Sequence, residues 1–196
     1  MKVHNNNLAK CYVYVLAPIL CMRFLPHLFF YATSKNRKKI KVDIETEASQ
    51  FGIKYLRFIW ALKFDPYFVS LFYYRIGWTR AFICSLTKRD NSTLDISTDN
   101  MGSIIMRHPF ATIINAKSIG ENFTFRNNTT IGNINDNNDL RPVIGNNVTL
   151  GANVIIFGDI TIGDNVIVGA GTVINKDVPS NCVVVGNPFR IVRMLK

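Results

Sequence analysis

Histidine is the side-chain type best suited to take a proton from a hydroxyl near neutral pH, and this chain has three. His4 lies in a polar tail and His27 in an apolar run. His108 sits in Met106-Arg-His-Pro-Phe-Ala-Thr-Ile-Ile114, at the start of a repeating region. A general base needs a partner on its second ring nitrogen to fix the tautomer, and Asp95 stands thirteen residues upstream in Leu94-Asp-Ile-Ser97. Such a pair works only if the backbone returns on itself within that distance. A lone histidine is otherwise more often structural.

The elements that would position this pair are visible as a period. Ile144, Leu150, Ile156, Ile162, Val168 and Ile174 stand six apart without a miss, and Val148, Val154, Ile160, Val166, Thr172 and Val178 form a second row four residues later. Helices repeat every 3.6 residues and strands every 2, so neither generates six. A hexapeptide period fits a parallel β-helix whose stacked aliphatic side chains fill the bore. Gly145-Asn-Asn147 and Gly163-Asp-Asn165 then read as corners, where Gly or Asn/Asp suits backbone that bends sharply, often at positive φ. Upstream the beat returns at Ile113, Ile119 and Ile131, with Phe125 between the last two. Ile131 to Ile144 is thirteen residues instead of twelve, so the polar stretch Asn133–Pro142 reads as a loop extruded from one coil. Loops held by a rigid scaffold are common sites of function.

Charge is distributed unevenly. The net charge is +10, with 15 Lys/Arg against 5 Asp/Glu in residues 1–90 and 8 of each in residues 91–196. Lys35, Arg37, Lys38, Lys39 and Lys41 directly follow the apolar run Cys11–Tyr31. Basic residues beside apolar surface suit an anionic membrane face, and no nucleic-acid motif accompanies them. Arg23, His27, Pro18 and Pro26 interrupt the run. It therefore reads in three ways: a helix pair packed on protein, an interfacial segment in peripheral contact with a membrane, or a true span. No small-residue cleavage site marks it as a removed leader.

Residues 44–88 read as helical. Asp65-Pro66 is an N-cap with proline at the first helical position. Phe68, Leu71, Phe72 and Ile76 mark one apolar face, as Tyr55, Phe58, Ile59 and Leu62 do for the preceding helix. Three parts result: an apolar and basic segment over 1–43, a helical segment over 44–90, and the repeats over 91–196. Cys11, Cys21, Cys84 and Cys182 lack metal-type spacing and suit reduced thiols of a cytoplasmic protein.

The repeats, His108-Pro-Phe-Ala-Thr-Ile-Ile114, Ala116-Lys-Ser-Ile-Gly120 and Val183-Val-Val-Gly-Asn-Pro188 resemble serine acetyltransferases and related hexapeptide-repeat acetyltransferases. The likeness covers about 94–196 and reaches more weakly over 44–90. It implies a left-handed parallel β-helix preceded by α-helices, a homotrimer, and an acetyl-CoA site between adjacent subunits. It assigns His108 as the base and Asp95 as the acid that orients it, at a spacing about two residues shorter than usual. Where relatives carry a second His before a Pro, this chain has Arg141, a candidate for holding an acceptor carboxylate. For the cofactor, the likeness points to Gly151, Ala152, Gly169, Ala170, Gly171, Lys176, Arg190 and Arg193. It implies acetyl transfer from CoA to an acceptor hydroxyl, most simply that of serine. The alternative acceptor is a sugar of a surface polysaccharide or its precursor, favoured by the basic, apolar N-terminus. A β-helical zinc enzyme would need several His ligands, and His108 is the only histidine in the repeats, so no metal is expected. A non-catalytic, membrane-docked scaffold is the remaining reading.

Overall fold

The computed structural model describes residues 7–48 and 56–195. Tyr55 therefore lies outside the described residues. The chain divides into two compact units, residues 1–92 and 93–196.

In the first unit the apolar run is cut into α1 (Asn7–Val15), α2 (Ala17–Arg23) and α3 (Leu25–Thr33). Pro18 and Pro26 stand within the first two positions of α2 and α3, where a missing N–H costs nothing, whereas a continuous helix would lose a hydrogen bond at each. Three short helices thus stand where one of the three readings placed a helix pair. Among the described residues no helix is long and apolar enough to cross a membrane. The remaining helices are α4 (Arg37–Ala48), α5 (Arg57–Phe64), α6 (Pro66–Ile76) and α7 (Trp78–Ser85). Asp65 caps α6 as its sequence predicts, its carboxylate accepting from the Tyr67 and Phe68 amides at 2.9 and 3.0 Å. Val13, Leu20, Phe24, Phe58, Phe68 and Phe72 are buried in one core. Within the unit Arg75 donates through Nε and Nη2 to the Asp43 carboxylate at 2.9 and 3.3 Å, both side chains at most 2% exposed.

The second unit is a parallel β-helix with three sheets. One holds β1 (Leu94–Ile96), β4 (Thr112–Ile114), β7 (Thr130–Gly132), β10 (Ile155–Phe157) and β13 (Val173–Ile174). The second holds β2 (Asn100–Met101), β5 (Ser118–Ile119), β8 (Val143–Ile144) and β11 (Thr161–Ile162). The third holds β3 (Ile104–Arg107), β6 (Phe123–Arg126), β9 (Thr149–Leu150), β12 (Ile167–Val168) and β14 (Cys182–Val185), closed by antiparallel β15 (Arg190–Met194). The chain visits the sheets in this order, one strand per sheet per coil until the last, where Val178 makes only an isolated bridge to Ile162, and below they are the first, second and third faces.

The six-residue row is buried throughout, from Ile144 to Ile174 at no more than 2% exposure. Thr172, the polar member of the second row, is also buried; its hydroxyl donates to the Gly169 carbonyl at 2.7 Å and accepts from the Gly186 amide at 3.2 Å. One position of the upstream beat is corrected. Ile113 is 47% exposed while Thr112 and Ile114 are fully buried, because strand alternation in β4 turns residue 113 outward.

At the corners asparagine and glycine divide the work. Positive φ falls on asparagine: Asn122, Asn147, Asn165 and Asn181 lie between 56° and 59°. Their amides form a ladder, Asn122 to Asn147, Asn147 to Asn165 and Asn165 to Asn181, at 2.8–3.0 Å. Gly145 and Gly163 serve instead as contact points between coils. A Cβ at either would lie 2.5 or 2.4 Å from the Asp164 carboxylate or the Ser180 hydroxyl above it. Ordinary coils here advance 18 residues, as in Ile156 opposite Ile174, but Ile131 opposes Ile156 across 25. The surplus is the extruded loop over 133–142, folded on itself by a bridge between Ile134 and Asn137.

Candidate active site

His108 lies at the edge where the third face turns into the first. Arg107 is in register with Arg126 and Ile113 with Thr130, so five residues turn this corner where the next coil uses three. The widened corner is His108-Pro109-Phe110-Ala111. His108 and Ala111 both have positive φ, at 56° and 50°, and the Phe110 amide donates to the His108 carbonyl at 2.8 Å. Left-handed backbone at a histidine is uncommon outside functional or turn positions. Pro109 is buried and anchors the turn, leaving His108 exposed.

Corners of later coils stack on this one. The Asn128 amide donates to the Phe110 carbonyl, Asn153 to Asn127, and Gly171 to Ala152, at 2.9–3.0 Å. The edge therefore reads His108, Asn127-Asn128, Gly151-Ala152, Gly169-Ala170-Gly171, and it gathers the expected base and the expected small cofactor residues in one line. With about 4.8 Å between neighbouring strands, Gly169 stands about 14 Å from the level of His108. The glycines are not equivalent. A Cβ at Gly151 would lie 2.5 Å from the Ala170 nitrogen, and one at Gly169 would lie 2.7 Å from a Val185 methyl, so both are small because the coils touch there. Gly171, at φ 70°, has no atom within 4 Å of its Cβ position. It opens onto free space.

Asp95 is exposed on the outer side of β1, in register with Ile113 on the first face. No hydrogen bond joins it to His108. Arg141 is on a different edge, where the first face turns into the second. There its Nη1 and Nη2 donate to the two oxygens of Asp99 at 3.0 and 2.5 Å, Nη1 also to Asn115 Oδ1 at 3.3 Å, and Nε to the Asn138 carbonyl at 2.5 Å. These bonds hold the Asp99 carboxyl below the usual carboxylate range and Arg141 firmly protonated. Asp99 escaped the sequence reading; its signal is a corner position two coils below Arg141. Lys176 follows β13 on this second edge, exposed. Arg190 and Arg193 are exposed on β15, opposite Val185 and Val183 at the end of the third face. One chain thus separates the expected residues into a His108–glycine edge and an Arg141–Lys176 edge, with Asp95 on the face between them. Among the described residues no three His, Cys, Asp or Glu side chains converge as a metal site.

Comparison with known proteins agrees with the architecture. The family described as bacterial transferase hexapeptide (six repeats) matches residues 141–176. A protein of Escherichia coli (strain K12), provisionally named colanic acid biosynthesis acetyltransferase WcaB, is 52% identical over 87 residues, 44% of this chain and 54% of that one. Serine acetyltransferase 3, mitochondrial, of Arabidopsis thaliana is 41% identical over 90 residues, 45% of this chain and 23% of that one. The chain spans about half the length, or less, of these curated relatives. Among solved structures, Neisseria gonorrhoeae serine acetyltransferase matches with a TM-score of 0.68 at 23% identity, covering 88% of this chain and 71% of that one. Soybean serine acetyltransferase matches with a TM-score of 0.64 at 25% identity, covering 80% and 68%. The β-helical unit, with its repeats in register and the matched segment inside them, is thus similar to hexapeptide-repeat acetyltransferases.

Proposed function

We propose that the chain is an acetyl-CoA-dependent O-acetyltransferase of the serine acetyltransferase type, with His108 as general base. The observation that carries this reading is the His108 edge: an exposed imidazole on a backbone-locked corner, in line with the open position at Gly171. His108 takes the proton of the acceptor hydroxyl as its oxygen attacks the thioester carbonyl carbon. The C–O bond forms, the C–S bond breaks, and the departing CoA sulfur receives the proton from the imidazolium. Asp95 would orient the imidazole once the site is assembled. Pantetheine would follow Gly151-Ala152 and Gly169-Ala170-Gly171, with Arg190 and Arg193 as partners for the phosphates and Lys176 of a neighbouring copy in contact with CoA.

The working form in this reading is a homotrimer. The Arg141–Lys176 edge cannot face the His108 edge of its own chain, whereas the corresponding edge of a neighbouring copy can. Ile113 and Ile155, both exposed on the first face, supply apolar surface for such a neighbour. Four free cysteines suit a reducing, cytoplasmic setting.

A second acceptor is favoured by one observation. Arg141, the side chain best suited to a carboxylate, is already paired with Asp99, which leaves a site better matched to a neutral sugar hydroxyl. The relative provisionally assigned to colanic acid biosynthesis points the same way. The test is an acceptor screen with acetyl-CoA, following free thiol with L-serine and with sugars, in wild type and Arg141→Ala. A carboxylate-binding role raises the serine KM strongly in the variant. Turnover of a sugar alone, indifferent to Arg141→Ala, selects the second acceptor. Thiol release with neither class, at a correctly folded trimer, sinks the proposal.

A further inference from the structure

The helical unit carries apolar side chains on two sides. Leu20, Phe24 and His27 point into its core, yet Val15, Ile19, Met22, Leu25 and Phe29 are all more than half exposed. Their spacing of four, three, three and four keeps them on one side despite the breaks at Leu16 and Phe24. On α7, Trp78, Phe82 and Leu86 repeat at four residues and are 82%, 65% and 76% exposed. These two sets adjoin. The Arg23 guanidinium donates to the Thr87 carbonyl at 3.2 Å, and Arg80 lies over the Phe30 ring at 5.7 Å, so α3 and α7 pack side by side in opposite directions. An exposed apolar surface of this extent marks an interaction face.

Its surroundings are basic. Arg23 and Arg80 sit at the seam, Arg89 follows α7, and Lys35, Arg37 and Lys38 follow α3, all within a segment of residues 1–90 with 15 basic and 5 acidic side chains. Burial, together with the Lys63 and Arg23 charges, holds Lys88 below the usual lysine range, a sign that cations crowd this region. A second copy placed on the face would bring two strongly positive units together. An anionic lipid surface instead meets both features: apolar side chains enter the acyl boundary and cations meet headgroups. Trp78 is the residue type that settles at such a boundary.

We infer that the exposed face of α2, α3 and α7 docks the protein in-plane on an anionic membrane surface, without crossing it. The docking does not depend on acetyl transfer. The test uses the full chain with vesicles of phosphatidylcholine alone or with phosphatidylglycerol, read by flotation and by tryptophan emission. Trp60 is 1% exposed, so a blue shift and quenching by brominated acyl chains report Trp78. Flotation with anionic vesicles, weak with neutral ones and in high salt, is expected to fall at least tenfold in Phe82→Glu/Leu86→Glu with an unchanged melting temperature. The triple variant Lys35→Gln/Arg37→Gln/Lys38→Gln should also reduce flotation, and it carries the test if the first variant does not fold. No flotation of wild type, or flotation that folded variants leave intact, overturns the inference. So does a lipid-free oligomer that Phe82→Glu/Leu86→Glu dissociates, because the face then belongs to a second copy. None of these readouts involves acetyl transfer, so failure here is distinct from failure of the proposed activity.

Discussion

Gly151 and Gly171 stand on one edge of the β-helix and look alike in sequence, yet they should respond to substitution in opposite ways. A methyl at Gly151 would sit 2.5 Å from the Ala170 nitrogen and 2.8 Å from its Cα, so backbone must move. Overpacking of this kind costs about 1–3 kcal/mol. Gly171 has free space at its Cβ position but needs left-handed backbone, at φ 70°. Alanine there would carry a penalty of about 1–2 kcal/mol from conformation alone. Asparagine avoids most of it, and the chain itself seats asparagine at positive φ at Asn128, Asn153 and Asn165. Gly171→Asn should therefore lower stability by less than about 1 kcal/mol while filling the space assigned to pantetheine. If crowding there costs about 1–3 kcal/mol of binding, the KM for acetyl-CoA rises about 5- to 150-fold. Thermal melts and initial rates against acetyl-CoA concentration measure both effects. Gly151→Ala should lose more melting temperature, and Gly171→Asn more cofactor affinity. A Gly171→Asn enzyme with normal stability and normal KM would remove the cofactor from this edge.

Two further outcomes concern the helical unit. Asp43→Ala leaves the Arg75 guanidinium buried without its carboxylate, and should destabilise by about 3–5 kcal/mol in denaturant melts; Asp43→Ala with Arg75→Met should recover part of that loss. His27 is buried beside Phe24 and Phe72, and burial, reinforced by the Lys88 charge, holds its pKa down to about 4. The unfolded chain then binds more protons between pH 6.5 and 4. Stability is complete above about pH 6.5 and should fall by about 3 kcal/mol as the pH drops through that window. Melts of wild type and His27→Gln across pH 4–7.5 read this directly, since the variant should lose that part of the slope.

The bore was legible because every coil must present the same aliphatic row inward, and stacking preserves that register over six positions. Ile113 was misplaced by one because the corner after it is short, so only the alternation of Thr112 and Ile114 reveals which side is inside. Glycine at Gly145 and asparagine at Asn147 were both readable as corner residues, but their division of labour was not. Positive φ and coil contact fall on adjacent residues and separate only in three dimensions. The Arg141–Asp99 pair joins residues 42 apart through a loop of irregular length, and no period predicts where its tip returns. The helix breaks at Leu16 and Phe24 each stand two residues before a proline, Pro18 and Pro26, so the interruption was visible even though the number of helices was not. His108 stands out in the sequence by residue type alone; its widened, left-handed corner required the register of both neighbouring coils.

His108→Asn tests the proposed chemistry most directly. Asparagine tolerates the φ of 56° at this corner, so it removes the base while keeping the backbone. Free thiol released from acetyl-CoA would be followed with the best acceptor from the screen, alongside a melt and an acetyl-CoA binding measurement. Turnover should fall about 10²- to 10⁴-fold, with the melting temperature and acetyl-CoA affinity little changed. A folded His108→Asn protein that still transfers acetyl at a near-normal rate would contradict the assignment of His108 as the base.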